Sequence, residues 1–460
     1  MHNSEHSSDS AAARQSSHTI PAWRTEPEID GERQQFLRQR LTIVPAIQQG
    51  IYPFKGVALT RADIEWLLIS HEDGRGPVEW GDPAQRERWG LDLRGANLQH
   101  VNLRGLPLAC LRGGLTREEW VATTLEQRAL AGVHLEQAEL SEAHLEGALL
   151  RGAFLQGASL RSTMLEQAVL FQAHLEKAYL RMAHLEGANM MYVRLEGTYL
   201  RKAWLTGADL RHAVCDNTTN LEKVTFIDRK WGCAMFADAH WGDCNLAVID
   251  WRRVMPLGDE VFAHSITSQH ERASSIKEKQ YHLDVYQAAV RAYRQLANAM
   301  RGQGMNEEAI PFAYRAQLVQ REVHWRYIRF GQLTPSQPGP ASEGNHQLLR
   351  NLWRKTRSFE AYIFSWFLDI LAGYGYKPGR SLSIYLLMIT LFTICYLILG
   401  HLGLREALIF SVTAFHGRGF FPGQFKLGDP ITAIAAIEAV VGLFIEISFI
   451  ATFTQRFFGR

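Results

Sequence analysis

The chain has 460 residues, and a formal net charge of +2 excludes a protein that binds polyanions through its overall charge. Charged residues make up 21% and hydrophobic residues 47% of the chain, which is ordinary for globular domains. Almost all of the long apolar runs, however, lie after residue 380. This division predicts several domains, with a soluble part followed by a membrane part.

The chain begins with a polar stretch, and residues 1–24 are predicted to be a disordered tail rather than a signal peptide. Residues 25–90 contain TRADIEWLL, which is typical of a capped amphipathic helix, and are predicted to form an N-terminal helical cap. The five cysteines include no CxxC pair. This usage argues against a disulfide framework or a zinc site and favours a reducing, cytoplasmic environment.

Residues 133–212 divide into sixteen consecutive units of five residues. The third place is Leu in fifteen units and Met190 in one, and the first place is small or β-branched, usually Ala. A strict period of five matches neither an α-helix nor a strand. Shorter blocks with the same period precede and follow, centred on Leu93, Leu98, Leu103 and Leu108, and, after a one-residue insertion, on Leu221, Phe226, Trp231, Phe236, Trp241, Leu246 and Trp251.

This pattern resembles the pentapeptide-repeat family, whose repeat is A(D/N)LXX. The resemblance implies a right-handed quadrilateral β-helix over residues 91–251, with four units per coil and the central leucines inside. Residues 109–132 interrupt the repeat, and Thr116 before Arg-Glu-Glu indicates a helical insertion. The aromatic centres of the last units predict a wider core that closes the end of the β-helix.

Residues 133–213 carry nine acidic and eight basic side chains, so their net charge is 8 − 9 = −1. A protein that mimics or binds a phosphate backbone needs one dominant sign, so we expect no nucleic-acid partner. His144 and His184 are two coils apart on one side, and we expect them to be solvated rather than to bind a metal. The outer surface of the β-helix leaves room for a protein partner.

Residues 252–330 are predicted to be helical, with apolar residues at Leu283, Tyr286, Val290 and Tyr293 in helical spacing. This region resembles one tetratricopeptide hairpin, although a single copy also fits a simple helical spacer. Residues 331–360 are predicted to be a flexible linker, because they contain QLTPSQPGPASEGN.

Residues 361–460 are predicted to form a membrane domain of four segments. The long apolar runs are of spanning length, and the segment before them is amphipathic. The missing signal peptide and the flanking basic residues favour a multi-pass protein of the cell membrane with both termini cytoplasmic. The segments are an interfacial helix at 361–372, a first span at 381–402, a short helix and loop at 404–429 and a second span at 430–454.

The segment between the spans resembles the pore loop of two-transmembrane potassium channels. The filter of that family reads T-V-G-Y-G, and the matching positions, which follow Thr413 and Ala414, are Phe415, His416, Gly417, Arg418 and Gly419. Both glycines are kept, but the threonine is lost and the tyrosine is replaced by arginine. The resemblance therefore implies a re-entrant pore loop and a homotetramer, without potassium selectivity.

Glu438, Gly442 and Glu446 follow at i, i+4 and i+8 in the second span, which places them on one helix stripe. One interpretation is a pore-lining acidic stripe, and the other is that a partner such as Arg405 or Arg418 satisfies the glutamates. The leading functional prediction is an ion-channel-like membrane protein with a cytoplasmic sensor or interaction domain. The alternative is a non-conducting membrane-anchored scaffold. No motif indicates an enzyme or a cofactor.

Overall fold

The computed structural model describes residues 21–269, 275–330, 344–417 and 430–457. The chain divides into two compact units, Met1–Met255 and Pro256–Arg460, and each is described by itself. Most of the predicted tail at 1–24, and the first part of the predicted linker at 331–360, lie outside the described residues.

The first unit is built around a ladder of parallel bridges between residues 20 positions apart. His134 pairs with Phe154, Phe154 with His174, and His174 with Arg194, and three further columns of bridges repeat this spacing. Twenty residues are four pentapeptides, so each coil has four sides and rises by one strand spacing of ~4.8 Å. The predicted β-helix with four units per coil is therefore confirmed.

The interior of the β-helix is filled by the central residue of each unit. The fifteen leucines and Met190 are at most 5% exposed, and the small first residues are buried beside them. The fifth residue of each unit turns the corner in the left-handed region, for example Lys177 with φ 59° and Gly187 with φ 67°. The five-residue period thus combines one buried side chain with one tight corner.

The N-terminal region caps the β-helix with two helices, α1 (Gly31–Leu41) and α2 (Arg61–Gly74). Thr60 and Asp63 form a capping box at the start of α2, as the sequence predicts. Ala58 makes a parallel bridge with Asn97, so the ladder extends into this region.

The helical insertion begins later than the predicted boundary at residue 109. Arg112 still pairs with Asp92 on one side and Leu149 on the other, so the ladder runs through this coil. The insertion then carries two short helices, α3 (Arg117–Val121) and α4 (Leu125–Ala131). Thr116 caps α3 with its side chain, as the sequence predicts.

The last coils contain the predicted one-residue insertion, because Tyr199 pairs with Asn220. The prediction that Trp231 is a central residue of the repeat is wrong. Trp231 lies in a hairpin between β1 (Ile227–Asp228) and β2 (Gly232–Cys233). The other aromatic centres are buried and contact one another, so they close this end of the core; they are Phe226, Phe236, Trp241 and Trp251.

The second unit is helical in its described residues. α6 and α7 form a hairpin, α5 packs against α6, and α8 packs against α7. α8 begins well before residue 361, so part of the predicted flexible linker is helical. The helices are α5 (Gly258–Gln269), α6 (Ile276–Gly302), α7 (Asn306–Phe330), α8 (Gly344–Ala372), α9 (Pro378–Leu399), α10 (Leu404–Phe415) and α11 (Pro430–Phe457).

A buried carboxylate joins α5, α6 and α7. Glu260 of α5 accepts a hydrogen bond of 2.7 Å from the Tyr293 hydroxyl and bonds of 2.9 and 2.6 Å from Arg315. Burial alone would raise the pKa of Glu260, but the hydrogen bonds from Arg315 and Tyr293 outweigh it and lower the pKa. The charged form of Glu260 therefore stabilises this helical core.

We expect Leu165→Ala to destabilise the β-helix by about 2–5 kcal/mol, because it leaves a cavity in a closed core. Thermal unfolding followed by the β-structure signal in circular dichroism measures the change. Arg161→Ala, an exposed position on a neighbouring unit, is the matched control. Equal unfolding temperatures for the two variants would contradict a core role for the central leucines.

We also expect the helical unit to lose stability at low pH through Glu260. Its pKa is lower when folded than the ordinary 4.5, so the stabilisation is complete above the unfolded value. It is lost as pH falls through the folded pKa. The fall in unfolding temperature between pH 7 and acidic pH should be smaller for Glu260→Gln than for wild type. Asp284→Asn, at an exposed carboxylate of α6, should follow wild type.

Candidate functional site in the apolar helices

Two of the described helices are long and apolar enough to cross a membrane, judged by length and composition. They are Pro378–Leu399 and Pro430–Ala451, the latter lying within α11. Large apolar side chains cover their outer surfaces, including Leu387 and Ile398 on α9 and Ile437 and Ile450 on α11. Exposed apolar area of this extent requires lipid or other protein to cover it.

A short helix, α10, lies against both long helices. Its twelve residues are about 18 Å long, which is too short for a hydrocarbon core of about 30 Å. Phe410 and Ala414 of α10 pack in one buried cluster with Tyr396 of α9 and Ala435 of α11. Phe415, at the end of α10, packs in a second cluster with Ile389, Leu371 and Ile445.

Glu438 is the polar centre of this three-helix contact. Its residue exposure is 0%, and its carboxylate accepts hydrogen bonds from the Tyr396 hydroxyl at 2.6 Å and from Ser411 Oγ at 2.5 Å. The carboxylate thus faces α9 and α10 of its own chain. Among the described residues its partners are these two hydroxyls, which favours the interpretation that partners satisfy the glutamate, and the pore-lining role of Glu438 stays a prediction.

Gly442 is the point of closest approach between α11 and the end of α10. A Cβ atom placed on Gly442 would lie 2.0 Å from the carbonyl oxygen of Phe415. Only a residue without a side chain lets the two backbones approach this closely. Gly442 is therefore a packing residue that faces α10 in its own chain, and its predicted place on a pore-lining stripe stays a prediction.

The residues around the end of α10 form a small polar group. His416 Nδ1 lies 2.7 Å from the carbonyl oxygen of Val412, and Nε2 lies 3.3 Å from Glu446 Oε1. If Nδ1 of His416 donates to Val412, Nε2 can also donate to Glu446 only in the imidazolium form, in which both ring nitrogens carry a hydrogen. Glu446, the third residue of the predicted stripe, is thus a half-buried partner of His416.

The other predicted filter residues have different surroundings. Thr413 donates its hydroxyl back to the carbonyl oxygens of Ile409 and Phe410, each at 2.9 Å. Phe415 is buried against Tyr385, and Gly417 is exposed with φ 66°. Arg418 and Gly419, and the loop that follows them, lie outside the described residues.

Asp369 is a buried residue that the sequence pattern did not single out. It lies in α8 and accepts hydrogen bonds from Tyr314 and Arg321 of α7, each at 2.9 Å. Arg380 in the first turn of α9 donates a third, at 3.2 Å. The sequence did contain a signal for this buried residue, because Asp369 is the single acidic residue late in the apolar run AYIFSWFLDILAG. Asp369 ties the helical hairpin to the start of the first apolar helix.

One group on the β-helix has the composition of a metal site. Within the described part of the chain, Glu166, His184 and Glu186 offer one ligand atom each, all within 4.8 Å of one another. His144 and His184 alone predict no metal site, because they are two coils apart. Glu166 occupies the coil between His144 and His184 and completes the group.

We expect Gly442→Ala to weaken the contact between α10 and α11, at a cost of about 1–3 kcal/mol for an overpacked site. The unfolding temperature of the protein in detergent should fall. Gly379→Ala, in the first turn of α9, has open space around the new methyl group and should unfold like wild type. A wild-type unfolding temperature for Gly442→Ala would contradict the close approach.

The family model for pentapeptide repeats matches eight copies, over residues 130–167 and 168–207. No curated protein sequence matches the chain. Among solved structures, a pentapeptide repeat protein from Nostoc is 33% identical and matches 22% of this chain and 75% of its own, with a TM-score of 0.11. A second, from Cyanothece, is 29% identical and matches 32% of this chain and 87% of its own, with a TM-score of 0.13.

A third structure, a pentapeptide repeat protein from the thylakoid lumen of Arabidopsis thaliana, is 25% identical over 21% of this chain and 61% of its own, with a TM-score of 0.10. These low TM-scores add nothing to the assignment, which rests on the family match and on the 20-residue coil. The match and the coil agree over the same residues. The β-helix of this chain is a pentapeptide-repeat domain.

Proposed function

We propose that this protein is an oligomeric, channel-like membrane protein whose pentapeptide-repeat domain binds a regulatory or scaffolding partner. The observation that carries the proposal is the packing of the short helix α10 between the two long apolar helices. A helix that enters but cannot cross, followed by a glycine-containing loop, is the arrangement of a pore loop. On this proposal the protein binds and transports and is not an enzyme.

The proposal requires several copies of the chain. The predicted pore loop would place irregular backbone inside a membrane, and such backbone needs protein or water as its partner. Copies of the chain around one axis would supply both, and the resemblance to two-transmembrane channels favours four. The exposed apolar faces of α9 and α11 would then meet lipid and neighbouring copies.

We propose that the β-helix and the C-terminus lie on the cytoplasmic side. Lys377 and Arg380 lie at the start of the first apolar helix, and Arg456 and Arg460 follow the apolar span that ends at Ala451. The segment between the spans has three basic residues, so the bias toward the cytoplasmic side is four to three; they are Arg405, Arg418 and Lys426. The end of α8 carries exposed Phe364, a large apolar residue, which suits a helix at the membrane surface.

The outer surface of the β-helix offers a place for a protein partner. Tyr179 and Tyr199 stack at 5.0 Å between ring centroids, yet they remain 47% and 45% exposed. Exposed aromatic side chains with an ordered geometry are frequent anchors of protein interfaces. In the other unit, Asp369 links the helical hairpin directly to the first apolar helix.

We expect the purified protein to migrate as an oligomer of about four chains and to pass discrete single-channel currents in a lipid bilayer. Gly417→Ala should abolish the current but not assembly, because a side chain at φ 66° strains the backbone after α10. Gly379→Ala should conduct like wild type. A functional monomer, or currents unaffected by Gly417→Ala, would contradict the proposed pore.

A second candidate is a membrane-anchored scaffold that does not conduct. The burial of Glu438 favours it, because this acid no longer offers a charge to a permeating ion. A wild-type oligomer that stays silent in the bilayer while binding a partner through Tyr179 and Tyr199 would support this candidate. Loss of partner binding in Tyr179→Ala together with Tyr199→Ala is its test.

A further inference from the structure

Three glutamates stack along one side of the β-helix. Glu146, Glu166 and Glu186 occupy the same place in three consecutive coils, because the bridges His144–Met164 and Met164–His184 place their units directly over one another. Neighbouring coils are ~4.8 Å apart. Like charges at this spacing repel each other, so the column needs a compensating positive charge.

Two of the three glutamates have an internal partner. Glu146 Oε1 lies 2.9 Å from His144 Nδ1, and Glu186 Oε1 lies 3.1 Å from His184 Nδ1. The same His-Leu-Glu arrangement recurs on the opposite side of the coil at His134–Glu136 and His174–Glu176. The middle unit, however, reads Thr-Met-Leu-Glu, and Met164 has no hydrogen to donate.

The carboxylates of this column are left with buried, unsatisfied oxygens. In the described part of the chain, Oε2 of Glu146, of Glu166 and of Glu186 has no hydrogen-bond partner. Glu146 as a whole residue is only 6% exposed. A buried carboxylate oxygen without a donor costs free energy. The same oxygen is unpartnered in Glu176 and Glu196 on the opposite side, but there Arg194 lies against both carboxylates. Among the described residues, no arginine forms such an ion pair with the Glu146–Glu186 column.

The geometry is close to that of a metal site. Glu166, His184 and Glu186 each provide one ligand atom, and these atoms lie within 4.8 Å of one another. Zinc ligands lie about 2.0–2.2 Å from the ion, so ligand atoms in a tetrahedral site are roughly 3.4 Å apart. Small side-chain rotations would bring the three ligand atoms from within 4.8 Å of one another to roughly 3.4 Å. The His184 ring is held by stacking on Trp204, with centroids 4.3 Å apart.

We propose that Glu166, His184 and Glu186 form a binding site for a divalent zinc-like cation on the outer face of the pentapeptide-repeat domain. Two carboxylates and one imidazole favour zinc over magnesium and calcium, which prefer oxygen ligands alone. Glu146, in the preceding coil, places a further unpartnered carboxylate oxygen beside Glu166. The ion joins two consecutive coils and offsets the charges of the two glutamates that bind it, and it does not depend on the membrane helices.

The test uses the full-length protein in detergent, freed of metal with a chelator that is then removed. Calorimetric titration with zinc chloride should give one site that is weakened at least tenfold in Glu166→Gln and in His184→Ala. Magnesium chloride at the same concentrations should give no binding to this site. Glu176→Gln is the matched control, because Arg194 Nε already lies 3.1 Å from the Glu176 carboxylate; it should bind zinc like wild type.

A second measurement separates loss of the site from loss of the fold. Zinc should raise the unfolding temperature of wild type and of Glu176→Gln but not that of Glu166→Gln. Without zinc, Glu166→Gln should unfold no earlier than wild type, because it removes a repelling charge. Zinc binding by Glu166→Gln and Glu186→Gln with wild-type affinity, or a wild type that binds no more zinc than these variants, would overturn the proposal.

Discussion

The β-helix depends on one constraint, which is that every fifth residue returns to the same orientation and every twentieth to the same side. The bridges between residues 20 apart therefore place equivalent positions directly over one another. Leucines at the third place stack into a closed core. The same rule also stacks the outward residues, so each column on the surface repeats one chemistry.

Stacking is favourable for some side chains and unfavourable for others. Rings pair well, as the column neighbours Tyr179 and Tyr199 do, because parallel flat surfaces bury each other. Carboxylates repel, and the chain offsets this by placing a histidine two residues before most of the stacked glutamates. Met164 breaks this pattern, so Glu166 has no histidine two residues before it. Glu166 instead lies beside His184 and Glu186, with which it forms the proposed zinc site.

The helical unit uses a different device, in which a buried acid holds several helices together. Glu260 joins α5, α6 and α7, Asp369 joins α7, α8 and α9, and Glu438 joins α9, α10 and α11. A buried carboxylate is costly unless several donors surround it, so each acid fixes the helices that supply those donors. Together the three acids form a chain of contacts from the α5–α7 helices to α10.

The sequence alone determined the features that depend on local spacing. The five-residue period indicated the pentapeptide-repeat family, and that resemblance implied the coil of four units with its leucine core. The capping residues Thr60 and Thr116 predicted their helices, and the long apolar runs predicted the two apolar helices. Tertiary structure decided what depends on contacts between elements. A helix stripe shows which residues share a face but not what that face meets, and only the structure shows that Glu438 meets Tyr396 and Ser411. Trp231 kept the repeat spacing yet lies in a hairpin, because β1 and β2 pair locally and remove it from the core. Glu166 and His184 are far apart in sequence, and only the closure of the coil brings them within reach of one ion.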